Sequence, residues 1–255
     1  MGRVVFIGAG PGAADLITVR GAARLAQADV VLYDALTDPA LREWAPRARW
    51  VHVGKRGYSD STAQATINAL LVKHASESDC VVRLKGGDPS IFGRLEEELD
   101  AMARAGIECE VVPGVTASLA AAAATQRPLT RRGTHGNAGR SVSLTTAVTR
   151  SGALHVTRTA DTEVFYMAGK QLAALSRRLL DAGWPASAPA SVVSRAGWAD
   201  MRHSDHTVQS LARANVLHAG RPTVVIVGAG AAALGQAAAS ARSDAHPARV
   251  ETFRP

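Results

Sequence analysis

The sequence has few cysteines, few aromatic residues and no long run of apolar residues. Two cysteines, Cys80 and Cys109, occur among 255 residues, and their separation matches no metal-binding motif. Isolated cysteines in apolar surroundings exclude a disulfide framework and indicate free thiols in a reducing compartment. No apolar run has the length of a membrane-spanning helix, and the first residues lack the pattern of a secretion signal. We therefore expect a cytoplasmic protein.

Acidic residues are fewer than basic ones. The chain has 22 Asp and Glu and 29 Lys and Arg, which gives a formal net charge of +7. A basic balance of this kind suits a polyanionic partner, either nucleic acid or a small acidic molecule. Aromatic residues make up only 4% of the chain, and no basic stripe is interleaved with stacking rings. That scarcity disfavours a single-stranded nucleic-acid binder. A small, highly charged anion therefore fits at least as well as nucleic acid.

Hydrophobic residues make up 47% of the chain, which is enough for a substantial core. Short apolar strands alternate with segments of helical spacing, which predicts an α/β fold with a largely parallel sheet covered on both faces. A polar, glycine-rich stretch near residues 128–139 marks a domain boundary. We predict an N-terminal α/β domain at 1–130, a C-terminal α/β domain at 140–235 and a flexible tail at 236–255. The predicted strands are 3–7, 29–33, 50–53, 81–84, 109–112, 141–145, 164–167, 190–193 and 223–227, and the predicted helices begin near 18, 41, 62, 95, 119 and 171.

One stretch stands out, where the apolar strand at 81–84 breaks at Gly86-Gly87-Asp88-Pro89 before a helical pattern resumes. Glycines reach backbone angles closed to other residues and let a ligand approach the main chain closely. Loops between a strand and a helix are where α/β sheets place their ligands. The same residues also suit a plain tight turn, and the local pattern does not choose between the two interpretations.

A second glycine-rich loop, Gly8-Ala9-Gly10-Pro11-Gly12, follows the first strand and is similar to a dinucleotide-binding fingerprint. Asp34, at the end of the second strand, even stands where that fold binds ribose. Pro11, however, removes an amide from a phosphate cradle, and the helix begins late, near the predicted N-cap Thr18. These features disfavour a nicotinamide cofactor. Three glycine-containing loops, after Ile7, Leu84 and Val112, instead indicate one cleft for a nucleoside-like ligand.

Seven segments together resemble the tetrapyrrole methylases in order and spacing. The resemblance spans about residues 3 to 230 and is most specific in the first half. It implies two α/β domains with mostly parallel sheets, an active site in the cleft between them, and a homodimer. The segments that carry it are Val5 to Gly12, Tyr33-Asp34, Val53 to Arg56, Arg83 to Arg94, Val111 to Ser118, Pro128 to Gly133 and Phe165 to Met167.

The resemblance also implies a methyl donor, S-adenosylmethionine, which leaves as S-adenosylhomocysteine, and no metal. It makes Asp34 the proton acceptor and Lys55 the proton donor. Ala196 stands where the family pattern has a glycine. The positions that match the family's substrate contacts are Arg94, Glu97, Arg132 and Met167. Those that match its cofactor contacts are Pro11, Gly86, Gly87, Asp88, Ile91, Thr116, Ala117, Met167 and Ala196.

The implied reaction is C-methylation of uroporphyrinogen III at two ring positions, giving precorrin-2 for sirohaem or cobalamin. A base such as Asp34 suits it, because the methylated ring must lose a proton, and arginines suit an acceptor with eight carboxylates. From the residues alone, Asp34 could instead be a helix cap or form a ribose-type hydrogen bond, and Lys55 could equally be a carboxylate anchor. A methionine on a strand, such as Met167, is more often core filling than a ligand contact. Two other functions stay open, which are methylation of a later precorrin and binding or modification of RNA.

Overall fold

The computed structural model describes residues 2–54, 64–132, 139–148, 154 and 156–234. Lys55 and the predicted tail at 236–255 lie outside the described residues. The first half forms a five-stranded sheet in the order β3-β2-β4-β1-β5, and every pairing between neighbours is parallel. Its strands are β1 (Arg3–Gly8), β2 (Val30–Tyr33), β3 (Arg49–His52), β4 (Cys80–Lys85) and β5 (Cys109–Val112).

The first sheet has apolar strands because both of its faces are covered. Along β1, Val4 and Phe6 face one core cluster while Val5 and Ile7 face another. Helices α2 (Gln64–Glu77) and α3 (Leu95–Arg104) cover the first face, and α1 (Val19–Leu25) with a 3-10 helix at Pro39–Trp44 covers the second. As predicted, Thr18 caps α1, since its Oγ1 accepts a hydrogen bond from the Gly21 N–H at 3.0 Å. Helix α4 (Ala117–Ala124) follows β5.

The second half forms another five-stranded sheet, in the order β6-β7-β10-β8-β9. The predicted α/β architecture is confirmed, but this sheet differs from the expected parallel pairing, since only β6 and β7 are parallel. The link from β8 to β9 is residues 195–201, which is too short for the crossover that parallel neighbours require. Its elements are β6 (Val142–Thr146), β7 (Thr162–Tyr166), α5 (Leu172–Asp181), β8 (Pro189–Ser194), β9 (Arg202–Thr207), α6 (Asn215–His218) and β10 (Thr223–Gly228).

Strand β9 and helix α6 were not among the sequence predictions. The β9 sequence is almost entirely polar, and the strand lies at the sheet edge with one hydrogen-bonded neighbour, so no apolar alternation reveals it. Helix α6 has four residues and is shorter than any periodic signal. After β10 the described chain continues into a 3-10 helix at Ala229–Ala231.

Polar contacts join the halves of the chain, among them an ion pair and a backbone hydrogen bond. The Arg127 guanidinium, after α4, forms a two-pronged ion pair with Asp205 on β9, with Nη2 to Oδ2 at 2.6 Å. The Ala13 N–H donates to the Gly197 carbonyl at 2.8 Å. The boundary predicted between 130 and 140 remains a prediction. Across the residues that the structure describes, no helix combines the length and apolarity that a membrane crossing needs.

Candidate active site

The carboxyl ends of β1, β4 and β5 bring the three glycine loops into direct contact. Gly10 and Gly87 exchange backbone hydrogen bonds, with N–O distances of 2.7 and 3.3 Å. A Cβ on Gly114 would lie 2.3 Å from the Gly87 carbonyl oxygen and 2.7 Å from the Gly8 Cα. No side chain fits in such a gap, so glycine is required for the loops to pack main chain against main chain.

A cavity of 220 Å³ lies above these loops, with the second sheet as its opposite wall. All nine predicted cofactor residues line this one cavity, although they come from five separate stretches of the chain. Those residues are Pro11, Gly86, Gly87, Asp88, Ile91, Thr116, Ala117, Met167 and Ala196. The sequence did not single out the rest of the lining, which is Leu36, Phe92, Tyr166, Val193, Arg195, Trp198, Pro222, Thr223 and Val224.

Gly87 leaves bare main chain open to the cavity. Its φ is +73°, and the nearest atom to a Cβ built there is the Thr116 Cα at 4.0 Å. The neighbouring Asp88 carboxylate ties two loops together, since Oδ1 accepts from the Ser90 N–H at 2.7 Å and Oδ2 accepts from the Gly114 N–H at 2.9 Å. The stretch is therefore both a tight turn and a ligand-accessible surface.

Strained backbone is concentrated around the cavity. Among the described residues, five other than glycine have positive φ, and Phe92, Met167 and Arg195 of these line the cavity. Residues held in unfavourable backbone regions cluster at binding and active sites. Met167 is also 46% exposed, which argues against the alternative that it fills the core.

The first glycine loop docks against the second half of the chain. A Cβ on Gly12 would lie 2.5 Å from the Trp198 ring, and the ring of Pro11 packs against Gly197 at 3.2 Å from a Cβ built there. The Ala13 amide is already donated to the Gly197 carbonyl. These contacts occupy the loop that would have to bind a dinucleotide pyrophosphate. The structure therefore also disfavours a nicotinamide cofactor.

Tyr166 bridges the two halves at the other side of the cavity. Its hydroxyl lies 2.8 Å from both the Thr116 Oγ1 and the Ser118 Oγ, and its ring packs on Phe92 with centroids 5.1 Å apart. Aromatic walls of this kind offer flat apolar surface to a purine ring. Aromatic residues are rare in the sequence, and only the fold brings these together.

Asp34 is held by a buried cluster of charges. Arg83 donates from Nη2 to the Asp34 Oδ1 at 2.6 Å and from Nε to the Glu98 Oε1 at 3.0 Å, and the Lys85 ammonium lies 2.6 Å from the Glu98 Oε2. Glu98 has no exposed surface, and Arg83 is 3% exposed. Two cations thus face two carboxylates, and each buried charge has an opposite partner.

The cluster shifts the pKa of its two cations in opposite directions. Burial opposes the charge on Arg83, but Asp34 and Glu98 outweigh that effect and raise the pKa of the guanidinium. Burial, together with the neighbouring Arg83, lowers the pKa of Lys85. The cation beside Asp34 is consequently a permanent one.

Asp34 does not act as a helix cap. The cap of the 3-10 helix at Pro39–Trp44 is Asp38, whose Oδ1 accepts from the Ala40 N–H at 2.9 Å. The Asp34 side chain is 29% exposed and lines a second cavity, of 650 Å³, together with Tyr33, Arg42 and other residues. Leu36, two residues further on, lines the first cavity. One short segment therefore joins the carboxylate to the wall of the glycine-loop cavity.

The predicted substrate residues lie apart from this cavity, with the exception of Met167. Arg94 forms a two-pronged ion pair with Glu97, both N–O distances being 2.7 Å, and both side chains are more than 40% exposed. Arg132 is exposed at the end of a described segment. The structure leaves these side chains accessible to a large ligand. Among the described residues, no group of three or more His, Cys, Asp or Glu could hold a metal ion.

Comparison with known proteins gives consistent similarities. The family model described as Tetrapyrrole (Corrin/Porphyrin) Methylases matches residues 3–212. A protein of Pseudomonas aeruginosa named uroporphyrinogen-III C-methyltransferase is 39% identical over 236 residues, which cover 89% of this chain and 93% of that one. A siroheme synthase of Psychrobacter cryohalolentis is 38% identical over 235 residues, and there the match covers only 44% of the longer relative.

Comparison with solved structures points to the same family. The crystal structure of uroporphyrin-III C-methyltransferase from Thermus thermophilus, complexed with S-adenosylhomocysteine, superposes with a TM-score of 0.77 at 34% sequence identity. The match covers 89% of this chain and 97% of that chain. The similarity thus extends over both sheets.

Proposed function

The chain belongs to the tetrapyrrole (corrin/porphyrin) methylases, and we propose that it methylates uroporphyrinogen III at two ring carbons. S-adenosylmethionine supplies the methyl groups, and the product is precorrin-2, formed by way of precorrin-1. The proposal is supported above all by one observation, which is that the nine residues matched to the family's cofactor contacts line a single cavity. Precorrin-2 would serve sirohaem or cobalamin synthesis.

The lining of the cavity suits the chemistry of such a donor. Open main chain at Gly87 gives a ligand access to backbone groups, and Phe92, Tyr166 and Trp198 supply flat walls. The rigid packing of the three loops preorganises this surface before any ligand arrives. Holding two reacting carbons in line at close range can contribute roughly 7–11 kcal/mol to lowering the barrier. The residues that hold the donor therefore carry much of the catalysis.

We assign Asp34 as the base that takes the proton from the methylated ring carbon. Arg83 holds its carboxylate in one orientation, since the Arg83 Nη2 donates to the Asp34 Oδ1 at 2.6 Å. Lys55 is proposed as the proton donor on the strength of the family resemblance alone. Arg94 and Arg132 are proposed to bind carboxylates of the acceptor, which arginine recognises through paired N–H groups.

The test is anaerobic incubation of the protein with uroporphyrinogen III and methyl-labelled S-adenosylmethionine. We expect two labelled methyl groups per acceptor and a red-fluorescent product after oxidation. Label in a later precorrin, with none in uroporphyrinogen III, would move the protein to another step of the same family. Label in RNA, or RNA affinity that falls steeply with salt, would favour the nucleic-acid alternative.

We further propose a cytoplasmic homodimer. The two cysteines are free thiols, as expected in a reducing compartment. An apolar groove of 540 Å³ beside α1 includes Val19, which is 90% exposed, and Trp44, which is 46% exposed. Exposed apolar surface of this kind supports association with a second copy.

A further inference from the structure

The cavity contains a positively charged residue that the family resemblance did not assign. Among the residues lining it, only Asp88 and Arg195 carry charged side chains. Both oxygens of Asp88 already accept backbone hydrogen bonds from Ser90 and Gly114. Arg195 is thus the one basic side chain in this lining, and it lies next to Ala196, the position that departs from the family pattern.

The Arg195 side chain is held in a fixed orientation. Its guanidinium carbon lies over the Trp198 ring, 4.3 Å from the ring centre, and its Nε donates to the Asp200 Oδ1 at 2.7 Å. Trp198 itself lines the cavity. The described residues provide no hydrogen-bond acceptor for the two terminal Nη groups. An arginine that is held over an aromatic ring and anchored through Nε presents those two groups as a fork for a carboxylate.

A second arginine extends this support into the core. Arg221 donates from Nη2 to the Asp200 Oδ2 at 3.1 Å, so Asp200 lies between two guanidinium groups. Arg221 also donates from Nε to the Ser194 Oγ at 3.0 Å, and Ser194 lies 2.9 Å from the Nδ1 of the fully buried His218. The orientation of Arg195 therefore depends on a connected set of polar groups and not on one exposed ion pair.

We propose that Arg195 binds the α-carboxylate of the amino-acid part of the methyl donor. The inference rests on the proposed function, because a donor of the S-adenosylmethionine class carries one carboxylate and the cavity lining holds one basic side chain. The backbone supports the assignment, since Arg195 has a φ of +52°, an unfavourable value for a residue other than glycine. A merely structural turn at this position would be better served by glycine.

The experiment compares two ligands that differ in this carboxylate. Calorimetric affinities are measured for S-adenosylhomocysteine and for 5′-methylthioadenosine, which has the same nucleoside but no amino-acid part. We expect Arg195→Met to weaken S-adenosylhomocysteine by roughly 10- to 100-fold, as loss of a charge-assisted pair should, and to leave 5′-methylthioadenosine unchanged. Arg195→Lys, which keeps the charge, should recover part of the loss. Arg213→Met, at an exposed position outside the cavity, should change neither affinity.

The possible outcomes separate this inference from the function on which it rests. An equal loss for both ligands would mean that Arg195 only shapes the cavity, and unchanged affinity for both would mean that it contacts neither; each result overturns the inference alone. If the unaltered protein binds neither ligand, the proposed function fails and the inference fails with it. Thermal unfolding of each variant checks that the fold is retained.

Discussion

Gly87 is the residue at which main-chain conformation and ligand access depend on each other most directly. Its positive φ lets the loop turn, and its missing side chain leaves the space above Thr116 open. Asp34 combines two comparable roles. Its residue lines the second cavity, and its carboxylate is held by a hydrogen bond from the buried Arg83. At each position the neighbouring residues hold one chemical group in place, which is bare main chain at Gly87 and a carboxylate at Asp34. A single substitution therefore tests the role of that group.

Gly87→Val should abolish measurable binding of S-adenosylhomocysteine, because the added side chain projects into the space the ligand needs. The positive φ also adds strain of about 1–2 kcal/mol. Gly106→Val is the matched control, since Gly106 has a φ of +67° with nothing within 4 Å of a built Cβ and does not line the cavity. Calorimetry and urea unfolding separate the two effects. Equal affinity in the two variants would contradict the placement of the ligand.

Asp34→Ala should keep cofactor affinity within a factor of about two while turnover falls by roughly 10²- to 10⁴-fold, the usual contribution of a general base. Asp34→Asn preserves the shape and a hydrogen bond from Arg83 but lacks basicity, so its turnover should fall similarly. Initial rates with uroporphyrinogen III and calorimetry with S-adenosylhomocysteine provide the measurements. Full turnover in either variant would remove Asp34 from the catalytic residues.

At the scale of elements, α3 and β4 are joined by ionic contacts as well as by apolar packing. Glu98 on α3 meets both Arg83 and Lys85 on β4, and no part of Glu98 is exposed. The charges are stable inside the protein only as a set, because an unpaired buried charge is strongly unfavourable. Strand β4 ends at Lys85, directly before the loop that contains Gly87, so these core contacts lie next to the site.

Glu98→Ala should lower the free energy of unfolding by about 3–5 kcal/mol, because it removes the carboxylate that Lys85 contacts and leaves the buried Arg83 with Asp34 alone. Glu96→Ala changes the same residue type at an exposed position of the same helix and should stay within about 0.5 kcal/mol. Urea unfolding monitored by circular dichroism provides both values. Similar losses in the two variants would show that the buried pairing contributes little.

Strands β8 and β9 meet α6 around a buried histidine. Burial, and after it the nearby His206 and other cations, lowers the pKa of His218 to about 4. The imidazole is therefore neutral in the folded protein, with Nδ1 near Ser194 and Nε2 near Ser204, each at 2.9 Å. In the unfolded chain the same group takes up a proton near its ordinary pKa of about 6.5. Because the folded-state pKa is the lower one, acid favours unfolding.

The unfolding free energy should thus fall as the pH drops from about 6.5 to about 4 and then show no further contribution from this residue. His218 alone should account for about 2 kcal/mol between pH 7.5 and pH 5. Urea unfolding at the two pH values measures the difference, which should shrink in His218→Gln. An equal pH dependence in both proteins would assign the effect to other groups.

At the scale of the whole molecule, the site exists only because two sheets face each other. The glycine loops come from the parallel sheet, and Met167, Arg195 and Trp198 come from the mixed sheet. The Ala13–Gly197 hydrogen bond and the Arg127–Asp205 ion pair hold the two halves together. A cavity wall shared in this way makes ligand affinity sensitive to how the halves dock.

The proposed dimer predicts a sedimenting species of twice the chain's 26.5 kDa. Val19→Asp places a charge in the apolar groove beside α1 and should shift the equilibrium towards monomer, since a buried unpaired charge disfavours association. Val216→Asp is the matched control, at a position 88% exposed on α6. A monomeric unaltered protein would refute the dimer, and dissociation by Val216→Asp alone would move the interface to the α6 face.

The sequence by itself determined the elements of the first sheet and the positions of the glycine loops. Apolar strands buried on both faces, a threonine cap at Thr18 and glycines at strand ends are signals carried by a few neighbouring residues, so they can be read along the chain. The residues matched to the family's cofactor contacts also fell around one cavity, whereas Arg94, Glu97 and Arg132 did not. The polar edge strand β9 lacked such a signal and was missed.

Only the tertiary structure decided which distant groups meet. The pairing of Arg83 with Asp34, the support of Arg195 by Trp198 and Asp200, and the packing of Gly12 against Trp198 depend on how the sheets and loops are arranged. Sequence patterns report which residues prefer burial, but a buried charge or an aromatic wall is selected by partners far along the chain. The antiparallel pairing of the second sheet likewise follows from short connections and sheet order, which become visible only in three dimensions.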